Sequence, residues 1–287
     1  MKVTLLGSSG TIGRAVLREL RRLGHTVDCP GRGDLQRLDL SGTDSVISCL
    51  ASRTGTPRDA WHVDHDLNAA ALRAAKTAAV PKFILLSAIC VQKPRLAFQH
   101  AKLAFEEELT ASGLSYAVIR PTAYFKSLSG QADRLRAGKP FLTFGDGTLT
   151  ACKPISDEDL ARYICRALSA PDMRNRILPI GGPGPALTAL AQGKMLADAL
   201  GVPFRSRSVP PSFLKAIATI LGAIGMREKA ALARIGHYYA TESMLVWDGE
   251  RYDAEATPEF GSDTLAAHYS AIARGDVVDD REGHAVF

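Results

Sequence analysis

Three glycines near the N-terminus carry the first chemical signal. In Gly7-Ser8-Ser9-Gly10-Thr11-Ile12-Gly13 they recur at three-residue spacing, directly after the apolar run Lys2 to Leu6. The first glycine permits a tight turn, the second lets the backbone approach a pyrophosphate, and the third lets a helix pack closely on a strand. The positive end of that helix then faces the phosphates. The spacing therefore predicts a dinucleotide site built from Gly7, Ser8, Ser9, Gly10, Thr11, Ile12 and Gly13. Arg14 follows the third glycine, and Arg32 stands nineteen residues beyond it. A guanidinium there suits a ribose 2′-phosphate, whereas an acid at the tip of the second strand suits a free 2′-hydroxyl, so both arginines point to NADPH. Asp28 is the opposing residue, and it is expected inside the second strand, before its tip.

These residues need a scaffold. Ile12, Val16, Leu17, Leu20 and Leu23 recur at helical spacing on a segment that stops at Gly24. A strand over His25 to Cys29 follows, then strands at Ser45 to Leu50, Lys82 to Ser87 and Ser115 to Arg120, separated by helices near 59–79 and 96–112. Such alternation predicts an α/β protein with a doubly wound, Rossmann-type parallel sheet. Only fifteen residues separate Cys29 from Ser45, with Pro30, Gly31, Gly33 and Gly42 among them. A parallel crossover takes about a dozen residues, so this interval holds one crossover and not two. The sheet edge is expected to be pruned here, with Leu35 to Leu40 at best a short edge strand or a loop. Beyond Arg120 the pattern is mixed: a hairpin over Phe141 to Thr150 closed by Gly145-Asp146-Gly147, a helix at 157–169, a loop over Pro179 to Pro185, and helices near 187–200 and 211–235. Residues 1–130 are read as the NADP-binding domain, with sheet elements returning near 151–180, and 131–287 as a smaller C-terminal substrate lobe.

Composition sets outer bounds. With 46% hydrophobic and 23% charged residues in 287, disorder is excluded and an ordinary soluble protein is expected. The net charge of +5 is too weak and too unpatterned for nucleic acid. Cys29, Cys49, Cys90, Cys152 and Cys165 never fall at CxxC spacing, so neither a metal site nor a disulfide framework is expected, and a reducing cytosol fits. No apolar run approaches the roughly 18 residues that cross a bilayer. The nearest, Ala216 to Met226, is flanked by Lys215 and Arg227. It reads first as a buried helix, with a membrane-surface contact or the wall of an apolar pocket as the functional alternatives.

The GxxGxxG spacing resembles that of extended and atypical short-chain dehydrogenases, over residues 1 to about 130. Their usual catalytic pair is Tyr-x-x-x-Lys, but here the segment is Phe98-Gln99-His100-Ala101-Lys102. Lysine is kept and the phenol is gone. A carbonyl substrate needs a proton donor at its developing alkoxide, so ordinary carbonyl reduction is disfavoured. A carbon–carbon double bond conjugated to a large π-system can spread the incoming charge without such a donor. Phe83 to Pro94, Phe98 to Phe105, Arg120 to Ser127 and Gly145 to Ser156, with Tyr239 to Val246 and Thr257 to Gly261, resemble the 3,8-divinyl (proto)chlorophyllide a 8-vinyl reductases.

That resemblance implies NADPH-dependent reduction of the C8 vinyl group of a chlorophyll or bacteriochlorophyll precursor, with a magnesium-porphyrin-type pigment as small-molecule partner and no nucleic acid. With no leader evident, it implies the bacterial, cytoplasmic version, a peripheral contact to photosynthetic membranes remaining open. It places Lys102 on the nicotinamide ribose, Ser87 beside the hydride path, and Pro121, Thr122, Ala123 and Tyr124 against the nicotinamide. Asp39 is placed at the adenine amine, and Ala51 and Ser52 join the cofactor-binding set. Lys102, Ser87 and Tyr124 are the catalytic candidates, with Tyr124, His100, Cys90 or water as the proton source. Cys90, Phe125, Lys126, Phe144 and Lys153 are the substrate candidates, the lysines facing the pigment's propionate, with Phe141 and the 213–226 segment as further lining. For His237, Tyr238 and Tyr239, packing is preferred over axial contact to magnesium. A quinone or other double-bond reductase, and a non-catalytic redox sensor, are the rival readings.

Overall fold

Val3 to Leu6 are all buried, as in a strand covered on both faces, and this strand, β1 (Lys2–Leu6), is the centre of the first unit. The computed structural model describes residues 1–31 and 33–276. They form two units interleaved along the chain: Met1–Pro121 with Asp157–Ile180, and Thr122–Ser156 with the chain from Gly181 onward.

In the first unit, β1 leads into α1 (Thr11–Arg22), β2 (Thr26–Asp28) and β3 (Ser45–Ser48). A short helix α2 (Pro57–Ala60) runs through a π turn (Trp61–Asp66) into α3 (Leu67–Thr77), followed by β4 (Lys82–Leu86), α4 (Ala97–Thr110) and β5 (Ser115–Pro121). The chain then passes through the second unit as α5 (Ala132–Arg136), β6 (Phe141–Phe144) and β7 (Ala151–Cys152), and returns as α6 (Asp157–Arg166) and β8 (Arg176–Ile180). The sheet has six strands in the order β2-β1-β3-β4-β5-β8, every pair parallel. Right-handed crossovers leaving β1 in opposite directions place helices on both faces, α1 packing on α6 and α3 and α4 covering the other side. The strand order reverses between β1 and β3, which opens a crevice at their C-terminal ends.

The pruned edge is present. Strand β2 is outermost and three residues long, and Asp34–Arg37 is a single 3-10 turn. Leu35 and Leu40 are buried in one cluster with Phe83, Phe105 and Val118, so they plug the sheet face where a crossover helix would otherwise lie. Asp28 is the last residue of β2, which corrects its expected place before the tip. The helix expected over 59–79 contains the π turn, one residue wider than an α turn. Pro179 lies within β8, an edge strand where its missing N–H costs no ladder bond, so the expected loop begins only at Gly181.

From Gly181 the second unit continues as β9 (Leu187–Thr188), α7 (Ala189–Leu200), β10 (Ser206–Val209), α8 (Pro211–Ala223), α9 (Arg227–Thr241), β11 (Val246–Trp247), β12 (Tyr252–Asp253) and α10 (Leu265–Arg274). The expected hairpin over 141–150 does not form. Gly145 and Gly147 turn the chain at positive φ, but β6 pairs in parallel with β10 and β7 antiparallel with β9. A single helix over 211–235 is likewise replaced by α8 and α9, with Gly225 at φ +80° between them. Phe125, Leu135, Phe141, Leu196, Leu265 and Tyr269 form this unit's core. The apolar stretch 216–226 is not a buried helix: within α8 only Ala218 is buried.

Candidate functional site

The three glycines of the first loop have different reasons to be glycine. Gly7 sits at φ +75°, and a Cβ there would lie 2.7 Å from the Cys49 carbonyl oxygen. A Cβ on Gly13 would lie 2.1 Å from the Gly7 carbonyl oxygen, so α1 could not seat on the loop. Gly10 has an ordinary φ of −73°, and its Cβ would meet nothing nearer than the Gly7 oxygen at 3.4 Å. The fold needs Gly7 and Gly13; at Gly10 it leaves open space in front of a helix N-terminus that has no acid in its first turn and no side-chain cap. Residues of this kind fit a dinucleotide diphosphate. Burial pushes the Cys49 thiol beneath the loop up to about 12, so no thiolate opposes an anion there.

Around this loop, Arg14 is exposed and donates from Nη1 to the Ser9 carbonyl at 2.8 Å. Arg32 lies outside the described residues. Asp28, exposed at the end of β2, has Lys2 Nζ at 3.9 Å. The Asp39 carboxylate accepts from the hydroxyl and the backbone N–H of Ser41, which hold it below its usual range.

Lys102 is not a solvated helix lysine. It is 7% exposed, and its Nζ lies 3.0 Å from Oδ1 of Asp64. Oδ2 of Asp64 accepts the Ser52 hydroxyl at 2.6 Å, which joins two predicted site residues through a third that was not predicted. The π turn places Asp64. Asn68 donates to the carbonyls of Val63 and Asp64, and its Oδ1 accepts from the Ser48 hydroxyl at the end of β3. No local pattern marks Asp64, because its partner lies on a different helix. Ala51, beside Ser52, is exposed.

Ser87, just past β4, donates its hydroxyl to Glu106, which also accepts from Arg120 Nε at 3.1 Å. Ser87 and Glu106 are both buried, so this hydroxyl serves an internal ion pair. Cys90 is buried as well, its carbonyl accepting from Gln99 Nε2 at 3.2 Å. Gln99 Oε1 accepts from the backbone N–H of Arg95 and Leu96, fixing the start of α4. His100, one turn below Leu96, is exposed. Pro121 ends β5 and is buried.

The remaining candidates belong to the second unit. Thr122 donates to the Lys153 carbonyl, and the backbone from Ala123 to Phe125 zips onto Ile155 through bonds of 2.9 and 3.2 Å. Lys153 does not present a free ammonium for a propionate: it is buried against Glu259 Oε1 at 2.5 Å and the Thr257 carbonyl at 3.3 Å. The Lys153 hydrogen bond, with one from the Gly184 N–H, holds the Glu259 carboxyl below its ordinary value. Phe125 and Phe141 are core residues, which removes them from a substrate wall. Tyr124, Lys126 and Phe144 remain half-buried. On α9, Tyr238 is buried with its ring edge-on to Tyr239 at 5.7 Å, a packing arrangement. Among the described residues no cluster of three or more His, Cys, Asp or Glu side chains could hold a metal ion, and no helix is long and apolar enough to cross a membrane.

Comparison with known proteins bears on the fold and the family. A family described as NAD(P)H-binding matches residues 32–171. The chain is similar in fold to MoeE5 in complex with UDP-glucose and NAD, with a TM-score of 0.71 and 19% identity over 96% of this chain and 100% of that one. It is 41% identical to the chloroplastic divinyl chlorophyllide a 8-vinyl-reductase of Oryza sativa subsp. indica over 317 aligned positions, 95% of this chain and 78% of the relative. It is 39% identical to the enzyme of the same name from Arabidopsis thaliana over 336 positions, 100% of this chain and 80% of the relative. Both alignments are longer than the chain itself, so these relatives carry residues this one lacks. At this identity over nearly its whole length, with a nicotinamide-dinucleotide fold beneath it, the chain belongs to the divinyl chlorophyllide a 8-vinyl-reductase family.

Proposed function

We propose that this chain reduces the C8 vinyl group of divinyl chlorophyllide a, or of its protochlorophyllide counterpart, to ethyl with NADPH. The observation that carries the reading is identity of about 40% over the whole chain to reductases of that name, together with the NAD(P)H-binding match. NADPH, when bound, supplies the hydride for one vinyl carbon, and a proton completes the other.

The chain's own residues have limited and definite tasks. The α1 N-terminus behind Gly10 takes the diphosphate. Lys102, oriented by Asp64, holds the nicotinamide ribose. Thr122, Ala123 and Tyr124 meet the nicotinamide, and Tyr124 and Lys126 border the pigment. Phe98 stands one helical turn before Lys102 on α4, where it can give no proton. Conjugation with the macrocycle spreads the incoming negative charge, so no preorganised oxyanion donor is needed. Arg14 and Arg32 support NADPH over NADH, and Asp28 at the tip of β2 opposes that preference.

The test is direct. The full chain is incubated with NADPH and divinyl chlorophyllide a, and the Soret band is followed. A blue shift is expected, faster with NADPH than with an equal amount of NADH. NADPH binding without any blue shift would overturn the reading in favour of a sensor, and turnover of simple enones or quinones alone would assign a different reductase.

A further inference from the structure

The helix pair α8 and α9 carries an exposed apolar face to which the proposed function gives no role. Phe213, Ala216, Ile220, Ala223 and Ile224 recur along α8 at steps of three, four, three and one, and form one stripe on the helix surface. A separate set, Leu214, Ile217, Ala218 and Leu221, is the less accessible side of the same helix. The stripe faces water: Phe213 is 56% exposed, Ile220 61% and Ile224 64%. Met226 extends it onto the turn that joins the two helices. A contiguous apolar surface of this kind is uncommon on a monomeric protein without a partner.

Charge says which partner. Arg205, Arg207, Lys215, Arg227, Lys229 and Arg234 lie from just before β10 to the middle of α9, all exposed, and Glu228 is the one acidic residue in that interval. Arg227 and Lys229 directly follow the apolar turn. An apolar stripe bordered by long cationic side chains matches the boundary between acyl chains and anionic headgroups, where the ammonium and guanidinium groups stay in water while their stems lie along the lipid. A second copy fits less well, since two such faces would bring cations against cations. One flat pigment fits less well too, because a binding pocket is concave and these side chains stand out from a helix.

We propose that α8 and the α8–α9 turn dock this protein on an anionic lipid surface, with Phe213, Ile220, Ile224 and Met226 inserted and Arg227 and Lys229, which follow the apolar turn, at the headgroups. The inference goes beyond the reaction proposed above and does not depend on it.

Flotation of the full chain with vesicles tests it. Binding to vesicles of one-third phosphatidylglycerol in phosphatidylcholine is expected to exceed binding to pure phosphatidylcholine by on the order of ten-fold, and to weaken as salt rises. Ile220→Glu with Ile224→Glu is expected to remove the binding and, both side chains being exposed, to leave the circular dichroism and the melting temperature unchanged. Arg227→Gln with Lys229→Gln is expected to erase most of the difference between the two vesicle types. Equal flotation of wild type and the Ile variant would overturn the proposal. So would a dimer in vesicle-free solution that the Ile variant dissolves, which would assign the stripe to a second copy. A rise in pigment KM in vesicle-free solution, with flotation unchanged, would assign it to the substrate.

Discussion

Gly10 and Gly13 serve different demands with the same residue type. A methyl group on Gly13 would collide with a backbone oxygen, and backbone cannot rotate away as a side chain can. Gly13→Ala is therefore expected to cost about 2–3 kcal/mol or more, as in other overpacked sites, measured by urea unfolding. Gly10→Ala meets no such wall, so its stability should stay within about 1 kcal/mol of wild type. Its NADPH affinity, followed by fluorescence titration, should fall by on the order of ten-fold, a difference of about 1.4 kcal/mol. A Gly10→Ala protein that binds NADPH normally would remove the diphosphate from this loop. The Lys153–Glu259 pair makes a second prediction at this scale. The folded-state pKa of Glu259 is depressed below its ordinary 4.5, so the pair's contribution is present above that value and is lost as pH falls through the folded pKa. Wild type should be more stable than Glu259→Gln from neutral pH down to about pH 5, and the two melting curves should converge in stronger acid. A difference that grows on acidification would contradict the assignment. The pair is not legible in the sequence, because the neighbours of Lys153 say nothing of a carboxylate 106 positions away.

Elements explain how a lysine without its usual phenol is still held. Helix α4 is pinned at its start by Gln99, and Lys102 leaves it one turn later toward Asp64 in the π turn. The extra residue of that turn is invisible to a 3.6-residue pattern, which averages over it, so the helix was legible and the turn was not. Removing the carboxylate leaves a buried ammonium without its countercharge. Asp64→Asn is expected to cost about 3–5 kcal/mol in urea unfolding, and Lys102→Met in that background to recover part of it. Strict additivity of the two substitutions in a double-mutant cycle would mean that the pair does not couple. Strand–glycine–helix order at the N-terminus was legible because each of its parts is local. The hairpin at 141–150 failed for the opposite reason: its glycine turn forms, but strand partners are chosen by distant segments, and β6 and β7 each find a better one. For α8, hydropathy said buried and the structure says exposed, because hydropathy measures what a helix would gain from cover and not whether cover is supplied.

At the scale of the whole molecule the lean edge is the main departure. Counting fifteen residues between Cys29 and Ser45 was enough to exclude a second crossover, and the sheet accordingly ends at β2. Leu35 and Leu40 compensate by filling the face with side chains where a helix would pack. The stretch retains less surface for an adenosine, so titration of NADPH against the longer Arabidopsis thaliana relative should show weaker binding here, the loss lying on the adenosine side. Equal affinity would mean that the short edge does not limit binding of the adenosine.

By itself the sequence determined the strand–loop–helix start, the parallel alternation, the pruned edge and the family, because turn sterics, hydrophobic period, segment length and motif blocks are all properties of neighbouring residues. The tertiary structure alone decided that Lys102 answers to Asp64, that Ser87 serves Glu106, that Lys153 and Phe125 face inward, and that α8 faces water. Each of those outcomes depends on which distant groups share a small volume, and burial makes that choice binding: a buried charge or hydroxyl must find its partner wherever the fold brings one.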